Sequence, residues 1–205
     1  MTPLEESCSK IYEETRAFYH GIDNYSPGFK ILYGPPIVNP SLLFIGYQPG
    51  GEKPVPEEHN GWPKDCEYAT AKWPLAERLQ EIFGTEYLKK CTGLNALFFR
   101  AKNIQTYGNE ITPLSRKKIE SFCLPHVKRL INEMQPQLII SIGFTTFNLL
   151  GNNAKPILSQ KNRPLIKVGE IENRKALATL HLSGARISNI DREVIHDYLL
   201  DASPK

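Results

Sequence analysis

Three apolar runs without alternation, LLFIG (42–46), GLNALFF (93–99) and QLIISIG (137–143), constrain this chain more than any other feature in it. A strand with one wet face alternates apolar and polar residues, whereas one that is apolar throughout is buried on both sides, as in a parallel sheet covered by helices. Helical patterns separate these runs. TAKWPLAERLQEIFG reads as a helix stopped by Gly84, TPLSRKKIESFCLPHVKRLINEMQP opens on Thr112 and Pro113 and stops before Pro136, and FTTFNLLG follows the third run as a short helix. Pro125 is expected to kink or split the second of these helices. A hairpin, LIKVGEIENRKALATL, supplies a fourth strand in its return arm ALATL, and ISNIDREVIHDYLLDA closes the chain as a helix. The order predicts a three-layer α/β/α fold around a central, mostly parallel four-stranded sheet.

At 205 residues the chain suits a single domain, 1–205. Residues 1–30 form an amino-terminal helix, with Leu4, Ile11, Tyr12 and Phe18 at helical spacing and Gly21 at its end, followed by a loop packed on that domain. No apolar run reaches the ~20 residues of a membrane span. The start of the chain is acidic and amphipathic rather than signal-like, so a cytoplasmic, monomeric protein without a membrane partner is expected. The cysteines at 8, 66, 91 and 123 have no C-x-x-C pairing, which points to separate reduced thiols and to no metal site or other cofactor. A formal charge of +3 permits a nucleic-acid partner without arguing for one.

In open α/β sheets ligands sit outside the carboxyl ends of the strands. Two polar segments leave strands in that direction, GYQPGG after LLFIG and HLSGARIS after ALATL. Gln48 stands in the first, between residues that stiffen a turn but require no amide. Asn95, inside GLNALFF, is costly among apolar neighbours unless its amide is hydrogen-bonded, either to backbone or to a ligand edge such as a nucleobase. His181 sits at a strand exit beside a glycine-containing loop, as a surface residue or as a catalyst. Ser183 follows it, but no G-x-S-x-G elbow, G-x-G-x-x-G fingerprint or Walker lysine is present. Tyr47, Trp62, Tyr68 and Trp73 are aromatic enough to stack on a base, and equally suited to packing under a long loop.

Taken in order, these segments resemble the uracil-DNA glycosylase superfamily. LLFIGYQPGG is similar to its strand followed by G-x-x-P-G, LNALFF to its base-reading strand, the span 112–151 to its helix–strand–helix unit, and HLSGARIS to its H-P-S loop. The resemblance implies a monofunctional glycosylase that flips uracil or another deaminated base out of single- or double-stranded DNA and hydrolyses its N-glycosidic bond. Asn95 would pair with the pyrimidine edge, His181 would donate to O2 as charge collects on the leaving base, and Gln48 would stand beside the attacking water. Gly46, Tyr47, Gly50 and Tyr68 would complete the base pocket, with Tyr68 as the stacking ring. Ser183, Gly184, Ala185 and Arg186 would meet the DNA. No cofactor and no metal are implied. Gln48 in place of a carboxylate, Leu182 in place of proline, Gly50 in place of a tyrosine and Ala185 as a small wedge depart from the pattern. They imply slower chemistry or, alternatively, a nucleic-acid or nucleobase-binding protein of the same fold without turnover.

Overall fold

The computed structural model describes residues 1–21, 27–102, 113–184 and 187–204. Helix α1 (Pro3–His20) begins with a reciprocal cap. The Thr2 hydroxyl accepts from the Glu5 amide at 3.2 Å, and the Glu5 carboxylate accepts from the Thr2 amide at 2.6 Å. Its buried stripe of Leu4, Cys8, Ile11, Tyr12 and Thr15 follows the helical period. Strand β1 (Leu42–Gly46) comes next. Helices α2 (Pro74–Phe83) and α3 (Thr85–Leu88) lead to β2 (Thr92–Asn95). Helix α4 (Pro113–Met134), β3 (Leu138–Ile142) and α5 (Phe144–Leu150) follow. Strands β4 (Asn152–Gln160), β5 (Arg163–Ile171) and β6 (Arg174–Thr179) precede α6 (Asn189–Ala202).

The strands form one sheet in the order β2-β1-β3-β6-β5-β4. β2, β1, β3 and β6 run parallel, and β5 and β4 return antiparallel on the far side. Alternate residues of the parallel strands feed two cores. Leu43, Ile45, Ile139, Ala176 and Ala178 pack against α1 and α4 on one face. Leu42, Phe44, Leu138, Ile140, Ile142 and Leu177 pack against α2 and α6 on the other. The all-apolar strands are therefore buried on both sides, as the sequence pattern requires.

The sheet has six strands rather than the four expected. The two additional strands come from β4 and from the outgoing arm of the hairpin, β5, which spans 163–171 against an expected start at 165. β4 is exposed along its first six residues, carries Pro156 and has three register irregularities against β5, so it shows neither the apolar run nor the clean alternation of a strand. It is tied to β5 by a two-residue turn, Lys161 and Asn162, with φ of 49° and 62°. The β5–β6 hairpin turns in the same way at Glu172 and Asn173. β2 stops at Asn95 rather than at Phe99: Ala96 and Leu97 still bond to the exit of β1, whereas Phe98 and Phe99 pair with Lys30 and Phe29. α4 runs unbroken through Pro125. Pro125 and Ser121 are both exposed, so the carbonyl that the proline cannot serve lies on the solvent side of the helix. Thr112, the expected cap of this helix, lies outside the described residues.

Candidate functional site

The site residues gather at the carboxyl edge of the parallel strands because of strand order. β1 has β2 on one side and β3 on the other, so the chains leaving β1 and β3 turn to different faces of the sheet at that edge. Gly46, the last residue of β1, is in register with Asn95, the last residue of β2. Beyond that pair the two exits stay zipped together. Ala96 N donates to Gly46 O at 2.8 Å, Leu97 N to Tyr47 O at 2.8 Å and Ala101 N to Pro49 O at 3.2 Å. Gln48 belongs to this zipper, its Nε2 donating to Ala101 O at 3.4 Å. The turn therefore uses the amide structurally, in a long bond to backbone.

Asn95 is 1% exposed, and its Nδ2 donates to Lys30 O at 3.0 Å. That bond fixes the orientation of the amide and leaves Oδ1 over Gly46, where an added Cβ would lie 3.0 Å from it. A methyl group at Gly46 would thus press on the Asn95 amide. Gly51 is required by its φ of 107°, whereas a Cβ at Gly50 would meet nothing within 4 Å. Gly93 shares a face with Asn95, and Tyr68 lies across its bare backbone. Tyr68 is enclosed, stacked on Tyr33 at 5.2 Å and edge-on to Phe44 at 5.5 Å, so neither side of the ring is open for a base. Tyr47 packs on the opposite core, against the α1–α4 side.

A charged network beside Asn95 escapes sequence reading. Lys30, 4% exposed, places Nζ 2.8 Å from Glu58 Oε1 and 2.6 Å from Glu67 Oε2. Arg100 pairs with the other oxygen of Glu58 and donates to the carbonyl of Gly50, tying the 56–59 turn onto the exit of β1. The Lys30 ammonium also lies 4.7 Å over the Tyr33 ring. Burial lowers the Lys30 pKa, opposed by its bonds to Glu67. These four charges are spread over 70 positions of sequence, and no local pattern joins them.

His181 leaves β6, which lies two strands from β1, at a lateral distance of roughly 10 Å for strands about 4.8 Å apart. The residue as a whole is exposed, and Nδ1 is 3.0 Å from Ser183 Oγ. Gly184 N donates back to His181 O at 2.8 Å, making a tight turn. Protein mass around the ring removes part of its hydration and lowers its pKa, which favours the neutral imidazole. Leu182, 2% exposed, is buried in the second core and anchors the loop where proline was the alternative. Ala185 and Arg186 lie outside the described residues.

Two cavities accompany these residues without containing them. One of about 670 Å³ lies between α2 and α6, reaching Leu182, and one of about 340 Å³ lies between α1 and residues 60–62. Gln48, Asn95 and His181 line neither; Asn95 is closed over, and His181 stands at the rim of the same sheet edge. The four cysteines are free and buried. Among the described residues no helix is long and apolar enough to cross a membrane. No family model matches this sequence, and no curated protein matches it either.

Proposed function

We propose that this chain is a monofunctional DNA glycosylase that hydrolyses the N-glycosidic bond of uracil or another deaminated base, as its resemblance to the uracil-DNA glycosylase superfamily implies. The observation that supports it most is that β1, β2 and β6 end on one edge of a parallel sheet and carry Gln48, Asn95 and His181 there. Asn95 offers an amide held by Lys30 O and by the Tyr33 side chain, and its Oδ1 can accept from a ring N–H. A neutral His181 donates from its ring to O2 as the glycosidic electron pair moves onto the base, while a water oxygen bonds to C1′ of the sugar and its surplus proton passes through solvent to the departed base anion. Gln48 can orient that water but cannot take its proton as a carboxylate would. Glu52, which follows the turn, is paired with Lys102, and Glu58 and Glu67 are bound to Arg100 and Lys30, so none of these three carboxylates is left to stand by the cationic sugar and turnover is slow.

A second reading, a nucleic-acid or nucleobase-binding protein without turnover, is favoured by one observation: Asn95 is buried and already bonded to Lys30 O. Base release from oligonucleotides containing uracil, hypoxanthine or xanthine, single- and double-stranded, separates the two. The glycosylase releases base and loses that activity in His181→Ala and Asn95→Ala. Release from none of these substrates overturns it, and retained affinity for abasic DNA would then favour the binding reading.

A further inference from the structure

The carboxylates of this chain number 22 in 205 residues, yet none occurs between Glu133 and Glu170. The cations within that gap are Lys155, Lys161, Arg163 and Lys167, and all belong to the β4–β5 hairpin. Its other end is balanced, with Glu170 in register with Lys175, and with Glu172 bonded to Lys128 and Asn132 on α4. Lys155 and Lys167 lie midway along the hairpin, and Lys161 and Arg163 stand at its turn end.

That end stands beside the candidate site. Ile166 is in register with Thr179, and Leu180 N donates to Leu165 O at 3.1 Å. Residues 160–164 thus continue past the end of β6 on the edge from which His181 departs, a reach of roughly 10 Å at about 3.3 Å per residue. The tip is held by the left-handed pair Lys161 and Asn162, a turn whose twist matches that of its strands. Lys155 and Lys161 are exposed and make no ion pair among the described residues. Arg163 Nη1 lies 3.8 Å from Asp191, and Lys167 Nζ lies 4.7 Å over the Phe144 ring. A lysine and a proline on an edge strand also discourage strand addition, which accounts for Lys155 and Pro156. It does not account for Lys161 and Arg163, which sit at a turn with no open edge to protect.

We propose that the β4–β5 hairpin is a phosphate-contacting arm, laid along the backbone of duplex DNA next to the 181–184 loop, with Lys155, Lys161 and Arg163 as its contacts. The choice of DNA rests on the function proposed above, while the arm itself rests on charge and topology. The test is the triple variant Lys155→Gln/Lys161→Gln/Arg163→Gln, bound to a fluorescent duplex with one abasic-site analogue over a series of KCl concentrations. Each phosphate neutralised contributes about 0.9 to the slope of log affinity against log salt, so losing three contacts lowers the slope by about 2.7. A control variant, Lys90→Gln/Lys117→Gln/Lys118→Gln, removes the same charge elsewhere and leaves the slope unchanged. Far-UV circular dichroism establishes that both variants remain folded.

An unchanged slope in the hairpin variant, an equal fall in the control, or a wild-type protein that binds heparin or RNA but not this duplex would each overturn the arm. Base release is read separately. Release with an unchanged slope removes the arm and keeps the glycosylase, whereas a lowered slope without release by the wild type keeps the arm and removes the glycosylase.

Discussion

Replacing Glu67 with glutamine tests the buried network that braces Asn95, because Lys30 then keeps one carboxylate where it had two. Lys30 Nζ lies 2.6 Å from Glu67 and 2.8 Å from Glu58, with only 5% of its side chain exposed. Removing one partner of a fully buried pair costs about 3–5 kcal/mol. Glu67 keeps 27% of its side chain in water and Glu58 remains in place, so we expect about 2 kcal/mol for Glu67→Gln. For a chain of this size that lowers Tm by roughly 4–8 °C. Lys30→Met leaves Glu58 with Arg100 and Glu67 partly hydrated, at a cost of about 1–2 kcal/mol. In the double variant no buried charge is left uncompensated and the methionine fills the space. Its cost should therefore fall below that of Glu67→Gln alone, to within about 1 kcal/mol of wild type. Urea unfolding at pH 7 measures this as midpoint shifts at constant slope. If the two single costs simply add in the double variant, the reasoning that Lys30 is held by ion pairing is refuted.

Three further outcomes follow from the same geometry. A methyl group at Gly93 would run into Tyr68 Cε2 and lie 3.2 Å from Cζ, so Gly93→Ala should cost about 1–3 kcal/mol in thermal unfolding, and wild-type stability would show that Tyr68 does not lie across that backbone. The His181 imidazole should titrate below the ordinary 6.5 by NMR. Because the unfolded chain then binds more protons between the lowered value and 6.5, unfolding free energy rises with pH through that window, and His181→Gln abolishes this contribution; a midpoint at or above 6.5 contradicts the placement. Burial pushes the thiols of Cys8 and Cys91 up to about 12 and that of Cys66 to about 11, with Cys123 raised as well. Native protein at pH 8 should accordingly leave all four unreacted with a disulfide reagent that titrates four in denaturant, and fast reaction of any one would show it to be accessible.

Much of the frame was legible because burial on both faces of a parallel sheet leaves unmistakable runs such as LLFIG and LIISI, and because Gly21 and Gly84 mark helix ends, Gly84 with the positive φ of 75° that favours glycine. β4 was not legible. Its residues are exposed, interrupted by Pro156 and paired irregularly, so neither period is written in them. The candidate site divides the same way. Gln48, Asn95 and His181 stood out as polar groups at strand exits, a local signal. Lys30, Glu58, Glu67 and Arg100 meet only through the bridging of 29–32 beside β2, a tertiary event that spacing cannot reveal. The burial of Gln48 Nε2 and Asn95 Nδ2 in backbone bonds likewise depends on segments distant in sequence, Ala101 and Lys30.

Whether one base meets all three polar groups is read most directly by NMR on protein labelled at glutamine, asparagine and histidine side chains, titrated with a duplex bearing a non-hydrolysable 2′-fluorinated deoxyuridine. Signals of Gln48, Asn95 and His181 should move together along a single isotherm, with the Asn95 amide shifting as it gains a partner beyond Lys30 O. An Asn95 amide that stays still while the DNA binds would show that it is a strut of the β2 exit and reads no base.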